Sequence, residues 1–246
     1  MMAAPPASDP EVPKKSALWM LANIWFEPGR VFEQVARAPR WWIPLLIVSI
    51  ATVAYLAAFS THIGWDTFIR RELDNNPRLE NLSSEQREQI VSTQGKVASI
   101  AGYVGTPIGL VANACIVAAV LILIFKYLLD APCGFGQALG VASWSMMPGL
   151  LNVGAAILMV YMQSPQDFDL KNPVGVNIGY YLSSESPAWM RSLLSSIDLI
   201  SIWNILLVTT GMSVIVRKPW GSALPGVLIP WGVYVAIKTV WAALFG

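Results

Sequence analysis

The amino-acid sequence predicts an all-α, polytopic membrane protein, built as a bundle of five transmembrane helices with an amphipathic N-terminal segment. Hydrophobic residues make up 55% of the 246-residue chain and charged residues only 13%, whereas about a quarter of a soluble domain is charged. The mean hydropathy is +0.54. The few charges leave five long uncharged runs, each close to the roughly 20 apolar residues that a helix needs to cross a bilayer.

The five runs have distinct ends. They begin near Trp41-Trp42, Val97, Phe135, Asp198 and Leu224, and they end beyond Phe59 and near Phe125, Tyr161, Arg217 and Phe245. Tryptophan and tyrosine, whose rings favour the headgroup region, cluster at these ends: Trp41, Trp42, Trp65, Tyr161, Trp220 and Trp241. The runs therefore predict spanning helices with short connections.

The sequence divides into three parts. Residues 1–16 are rich in proline, alanine and charge, which predicts a disordered tail. Residues 17–40 form an amphipathic interfacial segment, which Pro28-Gly29 splits into two short helices. Residues 41–246 form the membrane domain. The interfacial segment is either a simple anchor for the first span or an element that docks a partner or senses curvature.

The charged segment before the second span contains a helix start. Ser83-Ser84-Glu85-Gln86 matches a capping box, with Ser83 as the N-cap and Gln86 at the third helical position. We expect a helix to begin there, to continue into the second span and to bend at Gly105-Thr106-Pro107.

The orientation follows from one short basic turn, because the total numbers of basic residues on the two sides are equal and the density of basic residues in short loops decides. The turn from Arg217 to Gly221 contains Arg217 and Lys218, and short basic loops stay in the cytoplasm. This places the N-terminus in the cytoplasm and, with five spans, the C-terminus outside.

The sequence offers no catalytic residue, cofactor site or metal site. The only histidine, His62, lies at the end of the first span, and the carboxylates Asp130 and Asp198 lie at span ends. The motifs of metalloproteases, hydrolases and nucleotide-binding enzymes are absent. We therefore predict that the protein is not an enzyme. The net charge of +1 argues against nucleic acid, and leaves the lipid bilayer, another membrane protein or a second copy as partners.

Three asparagines fall inside the spans: Asn113, Asn152 and Asn204. Intramembrane amides commonly form hydrogen bonds between helices, worth about 1 kcal/mol each. Alternatively, the three amides could face a common axis and form the polar site of a small transporter or channel.

Glycines and prolines indicate how the helices pack. Gly105 with Gly109, and Gly136 with Gly140, are GxxxG pairs that allow close helix contact. Pro148 and Pro230 each remove a helical hydrogen bond, so both helices should kink. At Pro148 we expect a bend beyond about 20°, whose inner side packs against another span.

Three segments resemble the bacterial branch of the Yip family of Ypt/Rab-interacting membrane proteins. They are Trp25 to Phe32 with Ala38-Pro39, Gly134 to Ala138 with Trp144 and Pro148, and Ile197 to Trp203. The resemblance implies a five-span bundle with a cytoplasmic N-terminus, in this case in the bacterial inner membrane. Eukaryotic members are linked to prenylated Rab-type GTPases. Because the N-terminal stretch here lacks their acidic motif, a Rab partner is not implied.

Together these observations predict a non-catalytic membrane organiser or scaffold that acts through helix–helix and interfacial contacts. The alternative is a small transporter or channel with a polar site formed by the intramembrane asparagines.

Overall fold

A computed structural model describes residues 14–74, 82–166, 168–170, 172–183 and 186–245. The tail predicted for residues 1–16 lies almost entirely outside the described residues. Within them the chain is helical, with no strand beyond an isolated bridge between Asn177 and Asp198. The α-helices are α1 (Ala17–Asn23), α2 (Pro28–Arg37), α3 (Trp42–His62), α4 (Trp65–Asp74), α5 (Ser84–Ile100), α6 (Thr106–Tyr127), α7 (Phe135–Trp144), α8 (Gly149–Met162), α9 (Ala188–Leu194), α10 (Leu199–Val216) and α11 (Trp220–Phe245).

Five helical segments are long and apolar enough to cross a membrane, as the sequence predicts. They are α3, α5 with α6, α7 with α8, α10 and α11. We call the end of the bundle at which α3 and α7 begin the N-terminal end. The antiparallel order of the spans also brings the ends of α6 and α10 and the start of α11 to this end.

The second span is one continuous helix of 44 residues, from Ser84 to Tyr127. Its start is the predicted capping box: Ser83 Oγ accepts from the Gln86 amide at 3.2 Å, and Gln86 Oε1 accepts from the Ser83 amide at 2.9 Å. A π-helical segment, Ala101–Gly105, joins α5 to α6. It precedes Pro107, whose ring would clash with the Tyr103 carbonyl in a regular helix, so a wider turn relieves the clash.

The helix α4 packs on α5 as a charged hairpin at the opposite end of the bundle. Its small core consists of Ile69, Leu73 and Val91. Across it, Arg70 pairs with Glu88 at 2.7 Å and Arg87 with Asp74 at 2.8 Å.

The third span is interrupted at Pro148. The helix α7 ends at Trp144 and α8 begins at Gly149, with a tight turn between them. The Met147 amide donates to the Trp144 carbonyl at 3.3 Å, and the Gly149 amide donates to the Met146 carbonyl at 2.9 Å. Pro148 is buried, so the turn lies inside the bundle. By contrast, α11 stays one helix although Pro225 and Pro230 lie within it.

The two ends of the bundle have separate apolar cores. The core at the N-terminal end combines side chains of α1, α2, α6, α7, α10 and α11, including Phe32, Phe125, Trp144 and Met212. The core at the opposite end is centred on Phe59 of α3 and Val160 of α8, with Phe168 from the following loop. The first of these cores contains the N-terminal segment.

Candidate functional site

The N-terminal segment forms a helical hairpin that is part of the bundle. This N-terminal hairpin, residues 15–40, buries Val31, Phe32 and Val35 completely. Its second helix, α2, lies against α10 and α7. The apolar face of α2 is therefore covered by protein, and its polar face is exposed.

Two glycines allow the hairpin to approach the spans. A Cβ at Gly211 of α10 would lie 2.8 Å from Val141 Cγ1 and 3.0 Å from Phe32 Cδ1. A Cβ at Gly140 of α7 would lie 2.6 Å from Val35 Cγ1. Three helices thus meet at Gly211, at distances that any side chain would disturb.

Polar groups fix the end of α2 on α7. Gln137 Nε2 donates to the Ala36 carbonyl at 2.9 Å, while Gln137 Oε1 accepts from the Gly134 amide at 3.1 Å. Trp144 Nε1 donates to the Pro39 carbonyl at 3.2 Å. Carbonyls at and beyond a helix end have no partner within the helix. Since a buried carbonyl without a donor costs about 1–3 kcal/mol, these two side chains hold the hairpin in place.

The tip of the hairpin contacts Trp203 of α10. Trp25 and Trp203 meet edge to face, with ring centroids 5.5 Å apart. The Trp25 indole donates to the Leu21 carbonyl at 3.1 Å. The N-terminal hairpin is therefore fixed at its tip as well as at the end of α2.

A polar cleft of about 330 Å³ lies between α1 and α2. Its lining consists of Lys15, Trp19, Asn23, Glu27, Arg30, Glu33 and Gln34. Arg30 pairs with Glu27 at 3.0 Å, and Lys15 Nζ lies 5.4 Å from the centroid of the Trp19 ring. Beside these polar groups, Leu18 and Phe26 are 78% and 84% exposed.

The structure does not place the three intramembrane asparagines around one enclosed site. Asn113 is exposed on α6. Asn152 of α8 and Asn204 of α10 are half-buried, and their side-chain oxygens have no hydrogen-bond partner among the described residues. Neither oxygen therefore forms the interhelical bond that the sequence suggested.

The two glycine pairs lie in different surroundings. A Cβ at Gly105 or Gly109 would meet no described atom within 4 Å, so this face of the second span is open. Gly136 and Gly140 face the N-terminal hairpin: a Cβ at Gly136 would lie 3.7 Å from Pro39 Cγ. This second pair thus contacts a short amphipathic segment instead of another span.

Several contacts had no counterpart in the sequence patterns. Gly211 and Gly226 belong to no GxxxG pair, yet a Cβ at Gly226 would lie 2.9 Å from Phe125 Cε2. Lys218 Nζ donates to the Leu129 carbonyl, which ties the α10–α11 turn to the end of α6. Lys238 Nζ donates to Ser195 Oγ and Ser196 Oγ at 3.1 and 3.0 Å. For the contacts of Lys218 and Lys238, the only indication in the sequence was a basic residue near the end of a span.

The remaining candidates for chemistry are dispersed. His62 contacts the Tyr161 ring, with centroids 5.0 Å apart. Within the described part of the chain, no group of three His, Cys, Asp or Glu residues is arranged to hold a metal ion. Between α6 and α7, burial raises the pKa of the Cys133 thiol.

The comparisons with known proteins give one match. The family model of the Yip1 domain matches residues 22–242, nearly the whole chain. No curated protein and no solved structure matches. The three segments that resemble this family meet in space, since the Trp25–Trp203 and Trp144–Pro39 contacts join them. The chain belongs to the Yip1 family of integral membrane proteins.

Proposed function

We propose that the protein is a non-catalytic membrane organiser in the bacterial inner membrane, acting through helix–helix contacts and through its N-terminal hairpin. The observation that carries the proposal is the attachment of this hairpin. Its apolar side chains and the Gln137 and Trp144 hydrogen bonds fix it on the bundle. The fixed hairpin presents a charged surface beside the membrane at one end of the bundle.

The open face of the second span supports association between copies. Gly105 and Gly109 lie on this face with exposed Val104 and Ile108 beside them. Small residues one turn apart let the backbone of a second helix approach closely, and van der Waals packing then stabilises the pair in lipid. A second copy of this chain is the simplest partner for the face.

Energy transfer between two fluorescent populations in one liposome tests this proposal. Transfer should exceed that of randomly distributed proteins at the same protein-to-lipid ratio. The double variant Gly105→Leu/Gly109→Leu should lower it towards the random level, because both side chains would fill the contact. Gly154→Leu is a matched control, since Gly154 is also a span glycine with open space around it. Random transfer by the unmodified protein would refute association between copies.

A transport function is the second candidate, and the unpartnered oxygens of Asn152 and Asn204 favour it. Burying an amide group without a hydrogen bond costs about 1–3 kcal/mol in proteins, and water or a polar solute would remove this cost. Flux through reconstituted protein that disappears in Asn113→Leu, Asn152→Leu and Asn204→Leu would favour transport. Equal leakage from liposomes with and without the protein would favour the organiser.

A further inference from the structure

The cleft in the N-terminal hairpin carries charges of both signs on the side that faces away from the bundle. Lys15 and Arg30 supply cations, and Glu27 and Glu33 supply carboxylates, so the lining is neutral overall. We infer that this cleft binds the headgroup of phosphatidylethanolamine, which also carries one charge of each sign, on its phosphate and its ammonium.

The size of the cleft fits a headgroup. Its volume of about 330 Å³ is at the lower end of the roughly 300–1,000 Å³ typical of small-molecule sites. A whole phospholipid does not fit into this volume, so the acyl chains must lie outside the cleft.

The cationic side of the cleft suits the phosphate. Arg30 pairs with Glu27 at 3.0 Å, but a guanidinium has five N–H donors, so others remain for phosphate oxygens. Lys15 Nζ lies 5.4 Å from the centroid of the Trp19 ring. This cation–π contact holds the ammonium at the cleft, and no carboxylate of the described residues forms an ion pair with it. Both groups form charge-assisted hydrogen bonds with phosphate.

The anionic side suits the primary ammonium. The exposed Glu33 carboxylate has no ion-pair partner among the residues that the structure describes. An ethanolamine ammonium has three N–H donors for it, whereas the trimethylammonium of choline has none. A glycerol headgroup would leave Glu33 without a counter-charge. The chemistry of the cleft therefore favours ethanolamine over both alternatives.

The apolar flanks distinguish a lipid from a free phosphoethanolamine. Leu18 and Phe26, both largely exposed, lie next to the cleft residues Trp19 and Glu27. The exposed Trp41 and Trp42 at the start of α3 mark the headgroup level at this end of the bundle. Acyl chains can thus cover Leu18 and Phe26 while the headgroup occupies the cleft.

This inference deepens the proposed function by naming a lipid partner, and it rests on that function only for the position of the hairpin at the membrane surface. The lipid inference and the proposed association between copies are tested independently, because energy transfer between copies does not depend on Glu33.

Lipid retention by the full chain tests the inference. The protein is reconstituted into nanodiscs with equal amounts of phosphatidylethanolamine, phosphatidylglycerol and phosphatidylcholine, then extracted mildly, and the retained lipids are counted by native mass spectrometry. Phosphatidylethanolamine should be enriched. In Glu33→Gln, its ratio to phosphatidylglycerol should fall about tenfold, the loss expected for one charge-assisted hydrogen bond. An equal ratio in Glu33→Gln and the unmodified protein would overturn the inference.

Two controls separate the headgroup from folding effects and from the free compound. Glu85→Gln, at an exposed position in the first turn of α5, should leave the ratio unchanged. Leu18→Ser/Phe26→Ser should lower the retention of phosphatidylethanolamine but not the affinity for soluble glycerophosphoethanolamine in detergent. If the unmodified protein shows no enrichment of phosphatidylethanolamine while the soluble compound binds, the occupant is the free headgroup, and the lipid assignment is wrong.

Discussion

Gly211 shows how one residue controls the attachment of the N-terminal hairpin. Val141 of α7 and Phe32 of α2 both lie close to its α-carbon, and all three residues are buried. Glycine in the middle of a helix ordinarily weakens it by about 0.5–1 kcal/mol relative to alanine. Here the missing side chain allows three helices to meet, so the local cost is offset by packing.

The variant Gly211→Ala should therefore destabilise the protein by about 1–3 kcal/mol, the usual effect of overfilling a packed core. Thermal or denaturant unfolding in a fixed detergent measures the change. Gly154→Ala is the control, because no atom lies within 4 Å of a Cβ there, and it should be neutral or slightly stabilising. Adding Val141→Ala to Gly211→Ala should give a less than additive loss, since it removes the clashing methyl groups. Equal stability of Gly211→Ala and Gly154→Ala would contradict this account.

The rate at which Cys133, at the N-terminal end of the bundle, reacts with a maleimide should depend on pH. Burial disfavours its thiolate and raises the pKa of the thiol. The thiolate is the reactive form, so at neutral pH this cysteine should react with a maleimide more slowly than an exposed cysteine. Its rate should still be rising at a pH where that of the exposed cysteine has levelled off. The measurement uses a Cys115→Ser background with Ser84→Cys as the exposed reference, and coincident pH profiles would show the prediction to be wrong.

The hairpin of α1 and α2 is the element whose surroundings differ most from those predicted from the sequence. Its amphipathic pattern predicts helices with one apolar face, and this is what the structure contains. The pattern does not specify what covers the apolar face, because lipid and protein are equally apolar surroundings. The covering depends on Gly211 and Gly140, where only three-dimensional proximity shows that a side chain would clash.

The Trp144 indole gives a test of this attachment. Trp144→Phe keeps most of the ring packing but leaves the Pro39 carbonyl without its donor, which should cost about 1–3 kcal/mol. Amide hydrogen exchange in residues 17–37 should then become faster by a corresponding factor, while exchange in α8 changes little. Trp189→Phe, in the short helix α9 and partly exposed, should not affect exchange in the hairpin. Unchanged hairpin exchange in Trp144→Phe would mean that this hydrogen bond does not hold the segment.

Other elements were predictable because a local rule determines them. The capping box at Ser83 and the five spans each follow from side chains within a few residues. The kink at Pro230 stays a prediction, because a helix can bend at a proline without being interrupted, and α11 is continuous there. The positions of Asn113, Asn152 and Asn204 escaped prediction, because the direction in which a residue faces depends on how whole helices are rotated.

At the scale of the whole molecule, the basic turn at Arg217 and Lys218 predicts the orientation. It predicts that Cys133 faces the cytoplasm, because it shares the N-terminal end of the bundle, and that Ser84 faces outward. In a Cys115→Ser background, a membrane-impermeant maleimide applied to intact bacterial cells should label Ser84→Cys but not Cys133. Permeabilised cells, at a pH high enough to ionise the partly buried Cys133 thiol, should label both. Labelling of Cys133 in intact cells would reverse the orientation.

The continuous helix from Ser84 to Tyr127 makes the second span a lever arm. Its 44 residues extend about 66 Å at 1.5 Å per residue, roughly twice the thickness of the hydrocarbon layer. With the apolar part centred near Val111, Ser84 stands about 40 Å from the bilayer midplane. A span answers a change in bilayer thickness by tilting, and a tilt of about 10° moves the tip sideways by about 7 Å at this length. We expect the charged hairpin of α4 and α5 to move with the tip, which would convert a change in membrane thickness into a lateral displacement of this hairpin.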